Sequence, residues 1–348
     1  MKSVRDTGEP CSGTSPIGLI EATWQRVLVL AVTALALAAS QSTFGYETDQ
    51  HSNRDDAIAD STEVLNREVN ESITRITGEW RKGHDEMALV NAIYHDIGGL
   101  HWVDKLERWA MKSPEVERLQ TPRYDSVYAD KPFWATRVTS LFGTGKTIRV
   151  NDQLIGTDKI GHFISQGRKY YRRYRKSGSE EQAAERAAFT ERAIFGRMSN
   201  GIYSNADLVS NYEGHRFYRS LFEDGIIPGK AAILRWDNGS WIIQRSFDWA
   251  DHVNAYWDET LNNNHYDGLL YRYMHETFVA MCPDYWANPE LYRIPNEESL
   301  KARYAHLQLR ETSELRLDSL CPVQAYLDGR KNSATTAEKS LQGVQASP

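Results

Sequence analysis

The chain is 348 residues long, with 41% hydrophobic residues, 25% charged residues and a formal net charge of −6. These values are ordinary for a folded protein, and the length is ample for a buried core. With a pI near 6.0, the composition excludes the strongly basic balance typical of nucleic-acid-binding domains, so we expect no nucleic-acid partner.

One apolar run, residues 27–39, follows Arg26 and ends in small side chains. It is shorter than the roughly 17–25 residues that a membrane-spanning helix needs, and the Ala-Leu-Ala ending at Ala38 fits a signal-peptide cleavage site. We therefore predict that residues 1–40 are a signal peptide, cleaved between Ala38 and Gly45, and that the protein is periplasmic or secreted. An uncleaved N-terminal anchor is the alternative, and it would be the only membrane contact.

Export bears on the cysteines. Cys11 lies in the leader, which leaves Cys282 and Cys321 in the mature chain. Two cysteines in an oxidising compartment predict a disulfide bond. Two unpaired, buried thiols are the alternative.

Apolar residues recur at helical spacing between residues 58 and 328, so we predict a mainly α fold with a single large helical domain. Two β-rich runs with turn sequences between them predict small hairpins near residues 147–155 and 231–245. Polar residues 41–57 predict a flexible lead-in, and the small, polar residues 329–348 predict a disordered tail.

A central motif, residues 157–222, contains three predicted amphipathic helices with ionisable residues on their faces. The first begins after Thr157, a favourable N-cap, and runs from Asp158 to Arg175. Gly161 and Gly167 fall inside it, where each glycine costs about 1 kcal/mol. We expect these glycines to allow another element to pack closely, with both faces of the helix covered.

The second helix of the motif places Glu191 within its apolar stripe. A carboxylate buried there without a partner would cost several kcal/mol. Glu191 is therefore the single residue that most needs a functional or structural partner. An exposed helix, with Glu191 beside solvent, is the alternative.

The third helix opens at Ser204, and Asp207 and Asn211 share a stripe with apolar residues further along. We expect both polar side chains to point inward, although Asp207 is also placed to cap the helix. His215 lies to the side of Asn211. Beyond the motif, residues 247–259 predict an acidic helix containing Glu259, which we interpret as a solvated face.

The order and spacing of these residues resemble those of VanZ-like proteins and of related short predicted periplasmic lipoproteins. The pattern is Asp-Lys-x-x-His, then Glu, then Asp-x-x-x-Asn-x-x-Gly, and it covers about 60 residues. The resemblance implies a polar site and an envelope location without a defined reaction. VanZ-like helices are membrane-embedded, whereas the basic sequence RKYYRRYRK at residues 168–176 cannot lie in lipid.

Two functions are consistent with this pattern. In the first, which we prefer, the motif forms a buried polar cluster for binding or assembly with envelope components, through Lys159, Asp207, Asn211 and His215. In the second, the protein is a metal-dependent hydrolase of an envelope glycan, peptide or phospholipid. Its divalent ion would be bound by Asp158, His162 and Asp207, and its catalytic residues would be His162 and Glu191.

Overall fold

The computed structural model describes residues 48–99, 103–133, 136, 143–190 and 202–322. Within these ranges the protein is mainly helical, as predicted. The predicted signal peptide, the predicted tail and Glu191 lie outside the described residues.

Helices account for most of the regular structure. The α-helices are α1 (Thr62–Gly78), α2 (Glu86–Ile97), α3 (Lys105–Ala110), α4 (Asp158–Gly161), α5 (Gly167–Ser177), α6 (Glu180–Thr190), α7 (Asn205–Ser220), α8 (Gly268–Ala280), α9 (Cys282–Ala287), α10 (Glu297–Tyr304) and α11 (Leu317–Leu320). A π-helix, His162–Gln166, joins α4 to α5. Short 3₁₀ helices cover Arg123–Asp125, Trp249–Asp251, Ala255–Trp257, Pro289–Tyr292, Ala305–Leu307 and Ser313–Leu315.

The strands form three antiparallel pairs in the described residues. Two pairs lie in the segments where the sequence predicts hairpins, and the third joins short strands that are distant in the chain. The pairs are β1 (Thr147–Val150) with β2 (Gln153–Gly156), β4 (Leu234–Asp237) with β5 (Ser240–Ile243), and β3 (Ile202–Tyr203) with β6 (His265–Tyr266).

The run from α4 through the π-helix to α5 lies at the centre of the fold and packs against α7. Gly167 of α5 and Gly214 of α7 face each other, and a Cβ on either would overlap the backbone of the partner helix. A Cβ on Gly161 would likewise overlap the Glu107 carboxylate. The predicted close packing at Gly161 and Gly167 is therefore confirmed. Residues 158–167 are buried, whereas Arg172 and Arg175 of α5 are exposed, so the predicted cover on both faces holds only for the first part of the run.

Residues 48–54 of the predicted flexible lead-in pack against distant parts of the chain, whereas residues 55–57 are exposed. Arg54 forms a buried ion pair with Asp258 at 2.8 Å, and Asp49 accepts a hydrogen bond from the Val127 amide at 3.0 Å. His51 stacks on Phe278 with 4.5 Å between ring centroids. These polar residues are therefore buried against specific partners, which amino-acid composition alone does not reveal.

The segment 247–259 also differs from the prediction. It forms two 3₁₀ turns instead of one helix, and His252, Asp258 and Glu259 are buried. The solvated acidic face is therefore wrong for Asp258 and Glu259, because each of these carboxylates has a cationic partner in the interior. Asp258 contacts Arg54, and Glu259 contacts Lys159.

Near the C-terminal end of the described chain, Cys282 and Cys321 form a disulfide bond with 5.3 Å between their Cα atoms. The bond joins the start of α9 to the end of α11. In the described ranges no helix combines the length and the apolar character needed to cross a bilayer.

Candidate functional site

The site is centred on the buried ammonium group of Lys159, the second residue of α4. Its Nζ atom lies 2.7 Å from Asp158 Oδ2, 2.6 Å from Asp207 Oδ1 and 2.7 Å from Glu259 Oε1. These carboxylates come from α4, from α7 and from the segment that follows the 3₁₀ helix Ala255–Trp257. Their charges outweigh the effect of burial and hold the pKa of Lys159 well above its usual value, so the ammonium remains charged.

His162 extends the cluster one turn along the same helical run. Its Nε2 atom lies 3.2 Å from Asp207 Oδ2, and its Nδ1 atom lies 3.1 Å from Asn211 Oδ1. Asp207 and Asn211 are four residues apart on α7 and so present their side chains on one face. The inward direction predicted for both is confirmed, and Ser204 Oγ additionally caps α7 through the Asp207 amide.

Glu259 is bonded to two hydroxyl groups as well as to Lys159. Ser204 Oγ donates to Oε1 at 3.1 Å, and Thr48 Oγ1 donates to Oε2 at 3.3 Å. Gly156, at the end of β2, leaves the space that the Thr48 hydroxyl and Asp158 Oδ1 occupy, since a Cβ there would overlap both. The cluster is therefore closed on one side by the N-terminal segment and by the first hairpin.

A second carboxyl pair, Asp104 and Glu107, lies beside Gly161 and Ser165 of the central helical run. Ser165 Oγ of the π-helix donates to Asp104 Oδ1 at 2.8 Å, and Glu107 Oε2 occupies the space beside Gly161. Burial raises the pKa of Asp104 to about 6. Burial, aided by the charges of Asp158 and Asp104, raises the pKa of Glu107 well above its usual range. Glu107 therefore holds a proton more readily than a solvent-exposed glutamate does.

The two aspartates of the cluster differ in their tendency to hold a proton. Burial raises the pKa of Asp158 to about 6 despite the neighbouring Lys159 charge. For Asp207 burial acts in the same direction, but His162 and Lys159 outweigh it and lower the pKa. The site therefore combines a stable carboxylate with carboxyl groups that protonate readily, an arrangement common at functional sites.

His215 does not join the cluster, contrary to the predicted binding role. It is fully buried, stacks on Tyr170 with 4.6 Å between ring centroids and meets Tyr174 edge-on at 5.1 Å. Its Nε2 atom lies 3.6 Å from Glu180 Oε1. These contacts are with tyrosines and with α6, which indicates a packing role between α5, α6 and α7.

Glu180 gives this packed region a pH dependence. The close contact with His215, together with the charges of His215 and Arg219, lowers the pKa of Glu180 to about 2 from its ordinary 4.5. Because the folded pKa is lower, the stabilisation is present above the ordinary pKa and disappears as the pH falls toward 2. We expect Glu180→Gln to be less stable than the wild type at pH 7, with the difference shrinking between pH 5 and 2. Urea unfolding at each pH measures it, and a difference that stays constant would contradict the assignment.

A separate buried network is centred on Glu213 of α7. Glu213 accepts two hydrogen bonds from Arg216 at 2.9 Å and one from the Tyr304 hydroxyl at 2.8 Å, and His252 Nδ1 lies 3.1 Å away. The His252 ring stacks on Phe247. This network explains why His252 is buried and indicates a structural role for it.

The structure thus brings together five predicted residues, Asp158, Lys159, His162, Asp207 and Asn211. It also adds residues that the sequence interpretation missed as site members: Thr48, Asp104, Glu107, Ser204 and Glu259. Glu259 had a detectable signal, since it follows the aromatic residues Tyr256 and Trp257 in a segment unsuited to a solvated face. Comparison with family models, with curated proteins and with solved structures finds no match to this chain.

Proposed function

We propose that this chain is an exported cell-envelope protein, built as a single large helical domain, whose buried polar cluster serves binding or assembly. The observation that carries the proposal is the set of three ion pairs at Lys159. They connect α4, α7 and the segment at residues 255–260, which are distant in sequence. Because each partner is buried, separating any one segment would expose an unpaired charge, so the cluster couples these segments.

Three features support an envelope location. The apolar run at residues 27–39 has the length and ending of a signal peptide. The bond between Cys282 and Cys321 is of a kind that persists in oxidising compartments. The motif residues shared with VanZ-like proteins contact one another through His162, Asp207 and Asn211, which favours a common polar site.

Export can be tested with a reporter that is active only outside the cytoplasm. We expect a fusion of residues 1–60 to alkaline phosphatase lacking its own signal to be active, because the apolar run directs translocation. The matched control deletes residues 27–39 from the same fusion and should be inactive. Equal activity of the two fusions would refute export through this segment.

Metal-dependent hydrolysis of an envelope glycan, peptide or phospholipid is the second candidate. One observation favours it: Asp158, His162 and Asp207 converge beside Glu107, and the pKa of Glu107 is raised while that of Asp207 is lowered. Such divergence suits separate acid and base roles, with Glu107 as the proton donor. Hydrolysis of isolated envelope material by the wild type, lost in Asp207→Asn, would support this candidate over the first.

A further inference from the structure

We propose that Asp158, His162 and Asp207 bind one divalent transition-metal ion, such as Zn²⁺ or Mn²⁺. Each residue offers one donor atom, and the three atoms lie within 4.8 Å of one another. One imidazole nitrogen with two carboxylate oxygens is a ligand set that suits borderline divalent ions. The inference concerns cation binding alone, and it is compatible with either candidate function and independent of export.

Lys159 leaves one oxygen of each aspartate available. It contacts Asp158 through Oδ2 and Asp207 through Oδ1. Asp158 Oδ1 is buried and has no hydrogen-bond partner in the described part of the chain, while Asp207 Oδ2 faces His162 Nε2 at 3.2 Å. A buried oxygen without a partner costs free energy, which a bound cation would recover.

Asn211 orients the imidazole as a metal ligand requires. Its Oδ1 atom can only accept a hydrogen bond, so His162 Nδ1 is the donor across the 3.1 Å contact. In the neutral ring the lone pair is then on Nε2, which points toward Asp207. Ligating histidines usually donate their second N–H group in this way, so Asn211 is a positioning residue and not a ligand.

The formal charge of the group bonded to Lys159 favours a divalent ion. Asp158, Asp207 and Glu259 contribute −3 when ionised, and Lys159 contributes +1, which leaves −2. One divalent cation balances this charge with His162 neutral. Because Lys159 contacts different oxygens from those proposed as ligands, it would remain beside the ion and orient the carboxylates.

The test uses the full protein purified from its host after any N-terminal processing. Bound metal is removed with a chelator, and the protein is titrated with Zn²⁺ and with Mn²⁺ in a calorimeter. We expect one equivalent of at least one of these ions to bind and to raise the thermal midpoint. Asp158→Asn and His162→Gln should abolish stoichiometric binding. Asn211→Leu should weaken it by about 10–100-fold, as expected for a residue that orients a ligand.

Matched controls change the same residue types at the surface. Asp96→Asn alters a partly exposed ion pair with Arg75, and His84→Gln alters an exposed ring stacked on Trp236. Both should bind the ion as the wild type does. Folded wild type that takes up neither ion, or site variants that bind as tightly as the controls, would overturn the proposal.

A spectroscopic measurement on the wild type alone tests the site even if the site variants do not fold. Co²⁺ bound to one nitrogen and two carboxylates should give visible absorption bands distinct from those of hydrated Co²⁺, and Zn²⁺ should displace them. A spectrum identical to that of the hydrated ion would refute the site. If the protein binds no cation but Lys159 is still energetically coupled to its buried carboxylates, the metal proposal fails and the assembly proposal stands. The failure of one proposal is therefore distinguishable from the failure of the other.

Discussion

Lys159→Met should lower the free energy of unfolding by about 3–5 kcal/mol, the usual cost of removing one partner from a buried ion pair. The ammonium group faces three buried carboxylates, and methionine retains the length of the side chain without its charge. The variant would therefore keep the packing and lose the neutralising cation. Urea denaturation followed by circular dichroism measures the change.

The matched control for this variant is Lys230→Met. Lys230 forms an ion pair with Asp251, but its side chain is 42% exposed, and Arg245 still contacts the Asp251 carboxylate at 3.4 Å when Lys230 is replaced. We expect a change below about 1 kcal/mol. Equal effects of the two substitutions would show that Lys159 is not coupled to buried charges.

Gly214→Ala should destabilise the protein by about 3 kcal/mol, the upper part of the range for overpacking a core. An added methyl group would overlap the Phe163 carbonyl oxygen and the Gly167 backbone. Both belong to the helical run that carries His162, so the two helices would have to separate and the contact to Asn211 would lengthen. Thermal and urea unfolding measure the loss.

Gly78→Ala provides the comparison for that change. Gly78 ends α1, and apart from its chain neighbours and the backbone of its own helix, no atom of the described residues lies within 4 Å of where its Cβ would be. Alanine has the higher helix propensity, so stability should stay the same or rise by up to about 1 kcal/mol. A similar loss in both variants would mean that the effect at Gly214 is not caused by close helix packing.

Much of the helical architecture was accessible from the sequence because amphipathic periodicity is a local signal. The cost of Gly161 and Gly167 in a helix correctly indicated that neighbouring groups approach closely. Residues 48–54 could not be assigned in this way. Their burial depends on Asp258, Val127 and Phe278, which are distant in the chain and leave no trace in local composition.

The site residues likewise differ in whether a local sequence signal indicates them. Asp207 and Asn211 were predictable because they share a stripe with apolar residues of α7, and burial of the stripe carries them inward. The burial of Glu259 was hinted at by the neighbouring Tyr256 and Trp257, but its partner Lys159 lies 100 positions away and could not be identified from the local sequence. His215 was misassigned because adjacency to Asn211 on a helix does not show which neighbouring helix its side chain faces.

A double-mutant cycle on Lys159 and Glu259 tests most directly whether the cluster is one coupled unit. The two residues are separated by 100 positions in the chain, and their charged atoms lie 2.7 Å apart. We predict that Lys159→Met and Glu259→Gln are less costly together than the sum of their separate effects, with a coupling of about 1–3 kcal/mol in the free energy of unfolding. Additivity within about 0.5 kcal/mol would contradict the account.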